Sequence, residues 1–315
     1  MKTHLFKCFC AAILVLCVSC GKDESSSGSP SSPSSGMSGN QQKSRPGKLR
    51  FLDRIDPEKY PEAKGPESPV LIRWDFSKEE EYPYSYSQIM SQETDMGEGR
   101  SIKADMDAEG DLVFKSEGDK TARLVLQDMK IRMNMKGESE PMIQNMPPVV
   151  VQGVQENGTM KTGMSQQELL LAVLFPMPEK AVKPGETAEK PAAMPFNLAG
   201  SVITVTGKCR TKHTGCVTVD GDTCVRLETD IDISEFNIPP EIKGTYECCF
   251  KGRSVFYYSL KEKAFISGNL ALLINMKIEA DIPKMNVPDS SMKLPDKMQM
   301  SMSMDSLITL KRKKK

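Results

Sequence analysis

Catalysis by a serine or cysteine nucleophile needs an imidazole to take its proton. Beyond residue 20 this chain offers one, His213. It lies between Cys209 and Cys216, in a stretch that reads as a hairpin turn, so it is expected as a solvated turn residue. No G-x-S-x-G elbow, H-E-x-x-H helix, phosphate loop or G-x-G-x-x-G occurs. Carboxylate chemistry has two candidate pairs, Asp105 with Asp107 and Asp230 with Asp232, each sharing a strand face at i, i+2. A glycosidase needs one acid in an apolar setting that raises its pKa, whereas pairs like these more commonly form the wet face of a sheet. A carboxylate-dependent hydrolase is thus the third reading, and the chain is expected not to be an enzyme.

Sulfur is more abundant. Cys209, Cys216, Cys224, Cys248 and Cys249 read first as disulfide candidates in an exported protein. Cys209 and Cys216 are spaced to face each other across a hairpin, and Cys224 then has Cys248 or Cys249 as partner. Adjacent residues on a strand point to opposite faces, so one of these two reaches it at most, and one cysteine is left over. No C-x-x-C pair or histidine ligand supports a zinc site. Met298, Met300, Met302 and Met304 alternate along one strand face, their sulfurs some 6.5–7 Å apart along the strand. Thioethers are soft ligands for Cu(I), and the stripe resembles methionine-rich segments of copper-handling envelope proteins. One ion would need a further ligand from another strand, such as Met133 or Met135. The plainer readings are a core in which methionine replaces leucine and valine, favoured by the 21 methionines of the chain, or a soft apolar ligand pocket. No cofactor is expected, with copper as the alternative.

The N terminus gives an address. Lys2 and Lys7 precede an uncharged apolar run, Cys8 to Val18, which suits a signal peptide and falls short of the roughly 20 residues that span a bilayer. Leu16-Cys17-Val18-Ser19-Cys20 resembles the lipobox of bacterial lipoproteins, although Cys17 stands where that family usually has leucine. The resemblance implies cleavage after Ser19, acylation of Cys20, and attachment to the periplasmic face of the outer membrane or to the cell surface. The other reading is an ordinary secretory peptide that leaves Cys20 a free thiol. Residues 21–48 are dominated by Ser, Gly, Pro, Gln and Lys, too polar to offset their ordering entropy. As a flexible tether of about 28 residues they span on the order of 30 Å. Removing residues 1–19 takes away two lysines and leaves 40 basic residues against 42 acidic ones. That balance argues against nucleic acid as a partner.

The elements that must position these residues are mostly strands. Residues 49–69, punctuated by prolines, read as an irregular lead-in to a domain over 70–315. Val70–Phe76, Tyr82–Met90, Ile102–Met106, Asp111–Lys115 and Ala122–Met135 carry strand patterns, with Glu109-Gly110 taken as a turn. Ser165 and Glu168 form a capping box for one central helix, 165–175, ended by Pro176. Pro178, Pro184, Pro191 and Pro195 make 176–195 a linker between two halves, roughly 70–162 and 196–310. In the second half Asp220-Gly221-Asp222 reads as a hairpin turn, and Lys297–Leu310 as the final strand. The expected fold is mainly β: antiparallel meanders in two halves, half-barrel or sandwich-like, with one short helix.

The run Leu174-Phe175-Pro176-Met177-Pro178 through Val182-Lys183-Pro184-Gly185 resembles a Phe-Pro-x-x-Pro, Val-x-x-Gly signature of bacterial envelope lipoproteins of unknown function. More distantly, the architecture is similar to the lipoprotein carriers LolA and LolB, which implies a half-barrel around an apolar cavity. The best reading is a membrane-anchored, non-catalytic envelope lipoprotein that binds an apolar ligand or an envelope protein. The alternative is a methionine-based copper-binding lipoprotein. The C-terminal Lys311–Lys315 either keeps a strand end solvated or touches an anionic surface.

Overall fold

The structure is a computed structural model that describes residues 50–97, 101–160, 171–198, 201–237, 244–281 and 297–314. Cys20, the signal segment and the tether lie outside the described residues. Among the described residues twelve strands form one antiparallel sheet: β1 Glu62–Ala63, β2 Glu81–Asp95, β3 Ser101–Ser116, β4 Thr121–Met135, β5 Met142–Asn145, β6 Val149–Gln155, β7 Thr187–Leu198, β8 Ser201–Val219, β9 Asp222–Asn237, β10 Gly244–Ser259, β11 Ala264–Asp281 and β12 Lys297–Arg312. The path runs β1-β8-β9-β10-β11-β12-β2-β3-β4-β5, with β6 beside β4 and β7 beside β8. The mainly β, antiparallel expectation holds. The two halves are not separate sheets, however, because β12 pairs with β2 along most of its length.

Four local expectations change. Glu109-Gly110 is not a turn but the middle of β3. There Asp128 and Met129 of β4 face Gly110 alone, and Asp128 adopts a left-handed φ of 55°. A bulge of this kind inserts one residue and flips side-chain parity. Hence Leu124 and Leu126 are buried before it, and Met129 and Ile131 after it. Second, the proline-rich stretch 176–195 is not wholly a linker, because Thr187–Leu198 pairs with β8. Pro191 and Pro195 share a parity, so both turn their missing donors to the same side, and an edge strand has one side free.

Third, Cys209, His213 and Cys216 do not flank a turn: all lie within the single strand β8. The turn comes later, at Asp220-Gly221, with φ values of 51° and 91° between paired Val219 and Asp222, as the sequence indicates. Fourth, Val70–Phe76 alternates like a strand but, among the described residues, joins no ladder beyond the Val70–Val182 bridge. Its polar groups are met one by one: Trp74 N–H donates to Glu156 O, Lys120 N–H to Phe76 O, and Tyr258 Oη–H to Arg73 O. Of the expected helix, residues 171–174 are helical and Phe175 N–H closes the last turn on Leu171 O at 2.8 Å. Its start lies outside the described residues.

That crossing segment bends the sheet. Val70 is tied to Val182 beside β8, whereas Trp74 is tied to Glu156 beyond β6 and β4. Flat, β8 and β4 would stand about 34 Å apart. Four residues reach at most about 14 Å, so the sheet curls around the segment. Its inner face holds Ile72, Trp74 and Phe76, all buried. The Trp74 ring lies 4.4 Å from Phe114, 4.9 Å from Phe175 and 5.7 Å from Phe265. The outer face is capped by the lead-in, which puts Ile55, Phe51 and Tyr60 over Val217, Val255, Tyr257 and Leu307. Arg226 fastens it by donating to Pro57 O at 3.0 Å.

Candidate functional site

The inner face has two ends of different chemistry. At the aromatic end the sheet is filled by Trp74, Phe175 and their neighbours. A space of about 50 Å³ remains between Phe175–Pro178 and β7–β8, lined also by Cys209 and Thr211. It has room for one or two waters, against some 300–1,000 Å³ for a ligand site. At this end the described inner face is filled by buried side chains such as Trp74, Phe114 and Phe175.

At the other end the same face is built from methionine. Directly opposed residues of antiparallel strands point to one face. The register thus aligns Ile274, Met304, Gln92, Ala104 and Met135 in one row, and Ser306, Met90, Met106 and Met133 in the next. A third row is Cys248, Met276, Met302 and Thr94. Met90, Met106 and Met304 are buried, while Met133, Met135, Met276, Met300 and Met302 are partly exposed. The expected stripe exists for Met300, Met302 and Met304; Met298 is on the same strand, but its side chain lies outside the described residues. Met133 and Met135 are not the neighbours expected for that stripe, because β2 and β3 stand between β12 and β4. Met276 of β11 takes that place.

Among the described residues Cys209, Cys216, Cys224, Cys248 and Cys249 are free thiols, and the expected disulfides between them do not form. Cys209 and Cys216 sit seven residues apart on β8, about 23 Å along an extended strand, far beyond disulfide reach. Cys224 faces Ser259 at the far end of β10 from Cys248 and Cys249. Burial pushes the thiols of Cys224 and Cys248 up to about 12 and that of Cys209 to about 11. None is a thiolate poised to react.

His213 is fully buried rather than solvated. Its Nδ1 lies 3.4 Å from Val182 O and its Nε2 3.9 Å from Cys216 Sγ. A carbonyl only accepts, so Nδ1 carries the proton and Nε2 faces the thiol as acceptor. Burial lowers the imidazole pKa and raises that of the Cys216 thiol, the reverse of an activated pair. The unfolded chain therefore takes up a proton first as pH falls. Stability contributed by neutral His213 is complete above the ordinary imidazole pKa and declines as pH drops below it. His213→Leu should flatten the urea-unfolding free energy between about pH 7 and pH 5. Equal slopes in both proteins would count against this burial effect.

The carboxylate pairs are exposed and face cations: Asp107 opposes Arg132, Asp230 opposes Arg210 and Arg253, and Asp232 opposes Lys208 and Lys251. This is a wet sheet face with opposite charges across strands, without the apolar setting an acid catalyst needs. Asp105 borders an outer-face groove of about 610 Å³ with Arg50, Ser91, Lys103, Asn134 and Asp305, where Arg50 N–H donates to Asp305 at 3.3 Å. Much of the basic tail is spoken for internally. Lys313 meets Asp111 at 2.7 Å, Lys314 meets Asp220 at 3.5 Å, and Arg312 pairs with Glu262.

No protein-family model matches the chain, and no curated protein does. Among solved structures, it is similar to a chain described under "lipid-protein interactions in lipovitellin", at TM-score 0.37 and 9% identity. The match covers 76% of this chain and spans about a quarter (26%) of that one. A second is Pseudomonas aeruginosa OpdQ, at TM-score 0.17 and 5% identity over 75% of this chain and 99% of the other. These similarities are weak and carry no functional argument. No described helix is long and apolar enough to cross a membrane.

Sequence reasoning missed Met276 and Cys248 as companions of the stripe. The signal that could have found them is parity: with the even-numbered residues of both β11 and β12 on the inner face, Met276 faces an even-numbered residue of the methionine stripe.

Proposed function

We propose that this chain is a lipid-anchored envelope protein that binds an apolar ligand on the methionine end of its inner face. The observation that carries the ligand reading is the set of partly exposed thioethers on β4, β11 and β12, continuous with a buried apolar floor. Contiguous apolar surface that the described residues do not close over marks an interaction site, and methionine adapts to irregular partners. The anchor reading rests on the leader, Cys20 and the polar tether in the sequence. Two acyl chains or more would hold such a protein stably, where one binds marginally.

Both parts are testable on the full chain in a bacterial host. Cys20→Ala should move the protein from the membrane to the soluble fraction and abolish incorporation of labelled palmitate; retention with unchanged labelling defeats the anchor. Detergent-free extraction followed by native mass spectrometry should show a co-purifying lipid. Met302→Glu, which places a charge on the apolar face, should reduce lipid occupancy at least tenfold. Equal occupancy in the two proteins, or none in the wild type, overturns the ligand reading.

A further inference from the structure

Three sulfur side chains from three consecutive strands fall side by side on the inner face. Cys248 of β10 opposes Met276 of β11, and Met276 opposes Met302 of β12. Opposed Cβ atoms in an antiparallel sheet stand some 4.5–5.5 Å apart. The Cβ of Met276 thus has at that spacing the Cβ of a thiol-bearing residue on one side and of a thioether-bearing one on the other. Metal–sulfur bonds are about 2.3 Å long, so an ion above Met276 is within reach of all three once the flexible methionines turn toward it. We propose that Cys248, Met276 and Met302 form a three-sulfur site for a soft monovalent ion, Cu(I) or its surrogate Ag(I).

The donor chemistry chooses the ion. One thiolate and two thioethers are soft ligands that suit Cu(I). Among the described residues no group of three His, Cys, Asp or Glu gathers to hold a metal, so this site offers harder divalent ions no oxygen or nitrogen set. Charge points the same way. The sulfurs lie among Phe250, Ile274 and Ile278, all buried, where an uncompensated charge is costly. Cys248 gives up its thiol proton to solvent as the ion binds, and thiolate plus monovalent cation is neutral. A divalent ion would leave a net positive charge in the same surroundings. Cys249, one residue along, points to the other face opposite Asn275 and has no part in the site. Met300 and Met304, each two residues from Met302, stand diagonal to Met276 as nearby reserve donors.

The site shares Met276 and Met302 with the face proposed to bind lipid, but Cys248→Ser removes the thiolate and leaves both methionines in place, so either reading can fail alone. The test titrates the full chain in detergent with Ag(I), and anaerobically with Cu(I) against a chromophoric chelator. Wild type should hold one tight equivalent that Cys248→Ser lacks and Cys249→Ser keeps. The Met276→Leu/Met302→Leu protein, near-isosteric and with every thiol intact, should bind at least tenfold more weakly while its Trp74 emission stays native. Absence of a tight equivalent in wild type, or its persistence in Cys248→Ser, overturns the site. Unchanged affinity in the double leucine protein reduces it to a bare thiol and overturns it equally.

Discussion

Trp74→Ala should cost about 3–5 kcal/mol in equilibrium unfolding, the range for removing a large buried aromatic side chain. Trp74 is 2% exposed and is the chain's one tryptophan. It stands at the crossing segment, where ring pairs to Phe76, Phe114, Phe175 and Phe265 converge. Those partners belong to the segment itself, to β3, to the chain after the short helix and to β11. Loss of the indole therefore leaves a cavity where distant parts of the sheet meet, and aromatic pairs lose a further share beyond area alone. Trp74→Phe keeps one ring and should cost clearly less. Urea denaturation followed by far-ultraviolet circular dichroism measures both. A cost below about 1 kcal/mol for the alanine variant would show that the crossing segment does not hold the curl.

Gly207→Ala should be almost as damaging, for a different reason. A Cβ there would stand 2.1 Å from Asp232 O and 2.4 Å from Ile233 Cα, both backbone atoms of β9. The register shifts at this point, Thr206 facing Glu235 and Gly207 facing Ile233, so Ser234 is the extra residue of a bulge. Glycine in a strand commonly marks such a close approach. No rotamer change relieves a clash with main chain, so β8 and β9 must part. We expect a loss of about 3 kcal/mol or more, the upper range for overpacking. Gly185→Ala is the comparison: its φ is +85° but nothing lies within 4 Å, so only backbone strain of about 1–2 kcal/mol applies. Thermal unfolding of the two variants side by side decides it, and equal melting temperatures would refute the close approach at Gly207.

What could be read from the sequence and what could not follow from the same cause. Alternation identified β2, most of β4, and β12, because their side chains keep one parity over long stretches with one face wet. It failed where a bulge resets parity, as at Asp128, and where a residue common in turns serves a strand instead, as at Gly110. Pro191 and Pro195 argued for a linker since a central strand cannot hold proline. Only the knowledge that β7 is an edge removes that objection. Val70–Phe76 had the composition of a strand and the burial of one, but its backbone bonds go to separate partners, which no local pattern encodes. His213 and the cysteines mislead together, because their spacing suits a hairpin where β8 continues as one strand with a bulge after His213. The methionine face was half legible: its period along β12 is written in the sequence, whereas the lateral neighbour Met276 depends on which strands pair.

The place of β12 in the sheet has a consequence for biosynthesis. It follows the other described strands in the chain, yet it lies between β11 and β2. Until the ribosome has finished Lys297–Arg312, the described strands before it form two partial sheets, which end in the unpaired edges of β11 and β2. Such edges invite pairing with other chains, and non-local pairing of this kind is slow to form. A nonsense truncation before Lys297 would accordingly yield no slightly smaller version of the protein, but two sticky fragments on one polypeptide. Joining the two partial sheets is thus the work of this one strand, and the edges of β11 and β2 stay open until it arrives.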